Sequence, residues 1–485
     1  MNSSLKMCLN AIARAAKQKH RDLSMPGNPR YQPDRLKPLF GYDQWVLWLA
    51  TVEVMWLSFL SEIHYIDALP MTQDEITNLF CELYTRKQDS MEKVTGHDIN
   101  ALIAMMKQSG YVREDLKRFI HHGLTSYDTI ETARALQIKI AWNDVMWPSL
   151  KKLDTIWREK IATYADTFQM GRTHLQDALP ITIGFWLAVI HDRLLGTVAE
   201  ANHDAESITG KLTGAVGTSA SIIGLGILDA YEKVSGKRGV QSLERDFLCS
   251  YMKLAAPSLS TQIVMPERSM RFFSELILLS GVFAQLGEDA RTLQSSRYGE
   301  LRSLSSTSST MAHKTGNPIG AESLAGMHTT ALGEFLKPLL NLESDLQRDL
   351  RNSGPARDNL AIMVYVQKQT ETATSVLEKM TIDEDRCLKN AEVSVPLTMA
   401  ELLFLSLAKA GHNNPHKIVN EKIVPFAARQ SIGLIKAAKF IAEADTELTE
   451  ALSQIPNDVK RLIENPKLYT GNAAAIAHNQ SLRSL

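Results

Sequence analysis

Strand signals are nearly missing from this chain. Alternating β-branched runs bounded by tight turns hardly occur, which points away from sheet-based folds. Cysteine is scarce too: Cys8, Cys81, Cys249 and Cys387 are scattered and share no metal-ligand spacing. Isolated thiols of this kind fit a reducing compartment, not a disulfide framework. Neither sign of charge is in excess. The 53 Lys and Arg against 54 Asp and Glu leave a formal net charge of −1, so no nucleic acid or anionic membrane surface is called for as a partner. No apolar run reaches the ~20 residues that a membrane span needs. The Trp- and Leu-rich stretch 45–60 is interrupted by Glu53, bracketed by Asp43 and Glu62, and reads as a buried core helix. Lys6, Arg14, Lys17 and Lys19 make the N-terminus basic, but no long apolar segment precedes a cleavage site. No signal peptide is therefore expected, and the chain reads as soluble and cytoplasmic. Fixed-length repeats and charged-flank heptads are also missing.

What the sequence does have is helical spacing over long distances. Phe185, Leu187, Ile190, Leu194, Leu195 and Val198 keep a 3.6-residue stripe, as do Phe272, Leu276, Leu279, Val282, Phe283 and Leu286. No proline interrupts 181–256 or 267–317. Long helices with one apolar face need neighbours on several sides, and a bundle supplies them. The apolar positions of 34–63 are helically spaced, and Thr72 and Asp74 are suited to cap a helix over 75–87. After about Thr381, Pro396, Pro415, Pro425, Pro456 and Pro466 break the pattern into shorter helices. With 485 residues, one compact core is too few. The expectation is an all-α chain in three domains: 1–124, a central long-helix domain 125–381, and 382–485.

Five stretches carry chemistry. In Ser305 to Pro318, crowded hydroxyls, Lys314 and a bend at Asn317-Pro318 read either as a mobile loop that closes over an anion or as a serine-rich linker. His97-Asp98 follows Gly96, and Asp98 alone is explained by a helix dipole. The block His121 to Asp128 offers Thr125 and Ser126 as carboxylate donors or as helix caps. In Gly171 to Thr182, a dense polar cluster around Arg172, Thr173, His174 and Gln176 is either a site or a satisfied polar loop. Arg348, Ser353 and Arg357 are spaced as a phosphate clamp, because guanidinium forks match phosphate oxygens; a solvated helix end is the alternative.

The order Ser308-Ser309-x-Met311-x-x-Lys314, then Asn317-Pro318 and Glu322, resembles the signature loop of the fumarase/aspartase/adenylosuccinate lyase superfamily. Ala312 stands where that pattern has proline, and Thr315-Gly316 lengthens the spacer by one residue. The other blocks occur in the superfamily's order. Within it, Pro29-Arg30-Tyr31 ahead of a tryptophan-rich helix, His97-Asp98 and the Arg348/Ser353/Arg357 spacing resemble adenylosuccinate lyases. Gly210 to Thr218, Ala408 to Lys422 and Tyr469-Thr470-Gly471 look similar as well, so the resemblance covers most of 26–475. Leu175-Gln176-Asp177-Ala178 is closer to the fumarase version, and Ser219 stands where many adenylosuccinate lyases carry glutamine.

The resemblance implies a three-domain superfamily lyase fold whose central long-helix bundle builds a homotetrameric core, with active sites shared between subunits. It implies elimination of fumarate from adenylosuccinate, and from the related succinyl-carboxamide ribotide, with a small-molecule nucleotide as ligand and no metal or cofactor. Ser308 would be the base, aided by Lys314, and His174 the acid, oriented by Glu322. Lys314, Asn317, Thr125 and Ser126 would hold the carboxylates. Arg30, Tyr31, Arg348, Ser353 and Arg357 would hold phosphate and ribose. His97 and His121 would line the site, with Asp98, Thr173, Gln176, Ser309 and Met311 among the substrate contacts. Two rivals stay open: a lyase for argininosuccinate or another succinyl adduct, and a non-catalytic paralogue kept as a scaffold.

Overall fold

The computed structural model describes residues 3–18, 25–303, 316–349, 351 and 353–485. The elements that matter below are α1 (Ser3–Gln18), α2 (Tyr42–Glu62), α3 (Thr85–Thr95), α4 (Asp98–Gln108), α5 (Ser126–Ile140), α6 (Trp147–Thr163), β1 (Phe168–Thr173), β2 (Gln176–Thr182), α7 (Ile183–Glu206), α8 (Glu267–Leu293), β3 (Leu301–Ser303), α9 (Ile319–Leu339), α10 (Ser353–Asp358), α11 (Leu360–Lys379) and β4 (Met380–Ile382). Between 384 and 481 the chain runs through shorter helices; Pro415, Pro456 and Pro466 stand at helix starts, whereas Pro396 lies inside the helix Glu384–Thr398 and does not break it.

The fold is all-α in character, and the apolar stripes explain its longest helices. In α8, Phe272, Leu276, Leu279, Val282, Phe283 and Leu286 are all buried, and in α7 so are Leu187, Ile190, Leu194, Leu195 and Val198. Phe185, counted in the same stripe, is only half-buried. By length and composition α2 and α8 would each be able to cross a membrane; α2 is buried along nearly its whole length, as a core helix is.

The chain groups into two compact units. The first holds 1–150, 197–281 and 326–371, and the second holds 151–196, 282–325 and 372–485. These are spatial groupings, whereas the three expected segments divide the chain along its length.

Strands occur where none were expected. In the second unit β1 and β2 form an antiparallel hairpin, with Thr173 paired to Gln176 and a bulge between Met170 and Arg172. A second small ladder pairs β3 with β4. The hairpin carries Pro180, which offers no N–H, and a polar tip, so its sequence reads as a loop. The expected helix over 75–87 also divides. Thr72 does cap it, through a reciprocal box with Glu75, but the helix ends at Glu82. Leu83 turns into the core, Tyr84 is extended, and α3 begins at Thr85.

Candidate functional site

In the first unit, helices α3, α5 and α10 and the turn before α4 line a cavity of about 1030 Å³. Tyr127, Ile130, Arg134 and Gln137 all face it from α5, at spacings of three, four and three residues, which is one face of a helix. Gly96 ends α3 in a left-handed conformation, with φ of 73°, and turns the chain so that His97 caps α4. The His97 Nδ1 accepts from the Ile99 N–H at 3.1 Å, and Asp98 Oδ1 accepts from the same N–H at 2.8 Å. The same Nδ1 lies 3.0 Å from Asp98 Oδ1, and both His97 and Asp98 line the cavity.

Arg348, Ser353 and Arg357 reach the same cavity, so the spacing seen in the sequence does bring them together. Arg348 lies flat on the Tyr127 ring, its guanidinium carbon 3.6 Å from the centroid. Its two terminal nitrogens donate to Gln262 Oε1 at 3.1 Å, to Ser353 Oγ at 3.1 Å and to the Tyr127 hydroxyl, while its buried Nε has no acceptor. Arg357 is exposed and makes no hydrogen bond among the described residues. Arg30 and Tyr31 stand in a short helical turn, with Arg30 exposed and Tyr31 packed at 6.2 Å from Tyr365; neither lines the cavity, although Met25, Pro26 and Gly27 do.

The block before α5 is built on buried charge. Thr125 is the N-cap of α5, and its N–H donates to Asp128 Oδ2 at 2.8 Å. Asp128 is itself paired with the fully buried Lys211 and accepts from the Gly214 N–H at 3.2 Å. His121, at φ 61°, points Nδ1 at Glu53 Oε1, 2.8 Å away, and Thr129 Oγ donates to the same oxygen at 2.7 Å. Burial pulls the His121 pKa down, but the Glu53 charge and hydrogen bond outweigh it, and the net shift is upward. His121, Thr125 and Ser126 are half-buried and lie beside the cavity lining on the chain, not in it.

His174 belongs to the second unit. It and Leu175 form the two-residue tip of the β1–β2 hairpin, with φ of 55° and 59°. Both in the left-handed region make this a primed turn, the type that hairpins favour and that asparagine and glycine usually fill. Histidine and leucine are strained there, and such strain concentrates at functional sites. Tyr298 holds the tip by donating to the Leu175 carbonyl at 2.8 Å. Behind it Arg172 donates to Asp177 Oδ1 at 2.8 Å and forks onto the fully buried Glu300, at 2.9 Å for the longer arm, while stacking 4.3 Å over Tyr298. Asn390 also donates to Glu300 Oε1, at 2.8 Å. Thr173, His174 and Gln176 are left exposed at the tip. Glu322, near the start of α9, is exposed, and no hydrogen bond joins it to His174 within the chain. Asn317 is half-buried beside the Gly316 carbonyl, which accepts from Gln294. Ser308, Ser309, Met311 and Lys314 lie outside the described residues. Among the described residues no cluster of three or more His, Cys, Asp or Glu side chains is placed to hold a metal ion.

Sequence reasoning passed over Trp45, Gln88, Tyr127 and Arg134, all of which line the cavity. Arg134 had one signal: a charge in register with Tyr127 and Ile130 on one face of α5. Glu300 had none, because its partner Arg172 is 128 residues away.

A family model described as Lyase matches residues 74–333. The chain is 27% identical over 398 residues to the adenylosuccinate lyase of Methanocaldococcus jannaschii, covering 80% of each. In fold it is similar to a fumarate lyase from Mesorhizobium sp. BNC1, with 20% identity, a TM-score of 0.77, and 94% of this chain and 99% of that one covered. It is also similar to a 3-carboxy-cis,cis-muconate lactonizing enzyme from Pseudomonas putida, with 22% identity, a TM-score of 0.78, and 93% and 97% covered.

Proposed function

Since this chain belongs to the Lyase family, as an enzyme of the fumarase/aspartase superfamily, we propose that it eliminates fumarate from a succinylated purine nucleotide: adenylosuccinate, giving AMP, and the related succinyl-carboxamide ribotide. The observation that carries the choice of a nucleotide is the cavity. Arg348, Ser353 and Arg357 offer it guanidinium and hydroxyl donors suited to a phosphate, while Asp89, Glu92 and Asp98 offer acceptors suited to ribose hydroxyls.

In this reading a base takes the proton from the carbon beside one carboxylate of the succinyl group. The electron pair left behind forms the double bond of fumarate as the carbon–nitrogen bond breaks, and an acid protonates the departing nitrogen. Ser308 is the proposed base and His174 the proposed acid. What supports the role of His174 is its exposure at a tip held by Tyr298, with the Arg172–Glu300 pair behind it. Charge building on the carboxylate is met by Lys314, Asn317, Thr125 and Ser126. The exposed His174 and Glu322 are completed by neighbouring subunits of a homotetramer, which unites blocks from several chains in each site.

Ultraviolet absorbance tests the proposal directly. Purified protein mixed with adenylosuccinate should change the purine spectrum to that of AMP, with fumarate formed in equal amount. Turnover of argininosuccinate with adenylosuccinate left intact would replace this reading with the other succinyl-adduct lyase.

A further inference from the structure

The best-provided guanidinium at the cavity is not one of the two in the clamp. Arg348 spends three of its N–H donors on Gln262, Ser353 and Tyr127, which leaves Nε and one terminal N–H unclaimed. Arg134, by contrast, makes no hydrogen bond among the described residues, although its side chain is only 18% exposed. Its nearest carboxylate oxygen is Glu131 Oε1 at 4.0 Å, beyond hydrogen-bond reach. The guanidinium is stacked on Trp45, with 5.5 Å from its carbon to the ring centroid. A ring contact of this kind uses none of the N–H donors of the fork. Arg134 lines the cavity and is only partly buried, so these donors are open to an acceptor that enters it. Arg357 makes the case stronger: it faces the same cavity, has no hydrogen bond of its own among the described residues, and repels Arg134. An anion between them relieves that repulsion and satisfies both.

We propose that Arg134, placed over Trp45, is a specificity-determining residue that grips the phosphate of the nucleotide together with Arg357. The proposal rests on the nucleotide reading of the cavity and adds a third cation, which makes the phosphate, and not the base or ribose, the main discriminator of ligands.

Calorimetric titration of the full chain with AMP and with adenosine, which lacks only the phosphate, tests it. Arg134→Met keeps an apolar stem on Trp45 and removes every donor. It should weaken AMP binding roughly 10- to 100-fold, the scale of hydrogen bonds to a charged group, and change adenosine binding less than about 3-fold. Arg134→Lys retains charge without the fork and should fall between the variant and the native chain; it also carries the test if the methionine variant fails to fold. Unchanged AMP affinity, or equal losses for AMP and adenosine, overturns the phosphate role while the nucleotide reading stands. A native chain that binds no AMP, or binds adenosine as tightly, removes the nucleotide reading and this proposal with it.

Discussion

The cavity of the first unit and the hairpin of the second each hold arginines against aromatic rings, yet they use them differently. Arg172 lies over Tyr298 with each of its three nitrogens engaged by Glu300 or Asp177. Arg134 lies over Trp45 with its donors unspent, and Arg348 lies over Tyr127 with Nε unspent. A guanidinium engaged by carboxylates at every nitrogen serves to position its surroundings; here it ties the strand that ends at His174 to Glu300. An unsaturated one beside a cavity is provided for a ligand. The same residue type in the same stacked pose thus splits into scaffold and receptor, according to whether carboxylates already fill its fork.

That contrast is sharpest at the level of turnover. His174→Ala and Ser308→Ala should each lower turnover by about 100-fold or more, the usual scale of lost acid–base help, while AMP affinity stays within roughly 3-fold. If Ser309→Ala abolishes turnover and Ser308→Ala does not, the base is the neighbouring serine. Loss of AMP binding in His174→Ala would show that the hairpin also serves as receptor, and the contrast would fail.

The mirror experiment removes a receptor group. Arg348→Ala should weaken AMP binding by about 1.5–3 kcal/mol, read by calorimetry. Equal affinity in the variant would mean that its bonds to Gln262 and Ser353 are structural, which would move Arg348 to the scaffold side with Arg172.

Beneath the receptor sits a buried scaffold whose charge depends on pH. Burial pushes the Glu244 carboxyl up to about 7, against the hydrogen bond it accepts from the Leu212 N–H. A carboxyl whose folded pKa exceeds its ordinary value of 4.5 favours folding in its protonated form. Its contribution is therefore complete below pH 4.5, declines as pH rises, and is lost above about 7. Glu244→Gln imitates the protonated form and keeps an oxygen for Leu212. The variant should flatten the decline and raise the melting midpoint at pH 8 by roughly 2–4 °C. A variant that melts lower at pH 8 would show that the charge itself is needed beside Lys211.

The smallest effect concerns the strain at the hairpin tip. Leu175 is 70% exposed, so its positive φ is not repaid by burial. Leu175→Gly should be neutral or stabilising by up to about 1 kcal/mol in denaturant unfolding. A clear loss of stability would mean that Leu175 packs on something beyond its own chain, which is what a shared active site calls for.

Several of these residues were legible without coordinates because their signals are local. Helix spacing marked α7 and α8, the Thr72–Glu75 box and the cap at Thr125 lie within three residues, and Arg348, Ser353 and Arg357 span ten residues around one short helix. The hairpin was not legible: its strands are two short polar-and-apolar mixtures, and the turn between them is made by residues that disfavour it.

By itself, then, the sequence determined the helical character of the chain, the apolar faces of its long helices and the closeness of Arg348, Ser353 and Arg357, since each depends on periods of a few residues along one segment. Only the tertiary structure decided which arginines are spent. Arg172 meets Glu300 across 128 residues and Arg348 meets Tyr127 across 221, while Arg134 makes no hydrogen bond among the described residues and stands 4.0 Å from Glu131 Oε1. Whether a buried guanidinium is a strut or a receptor depends on what the fold places opposite it, and no spacing along the chain encodes that.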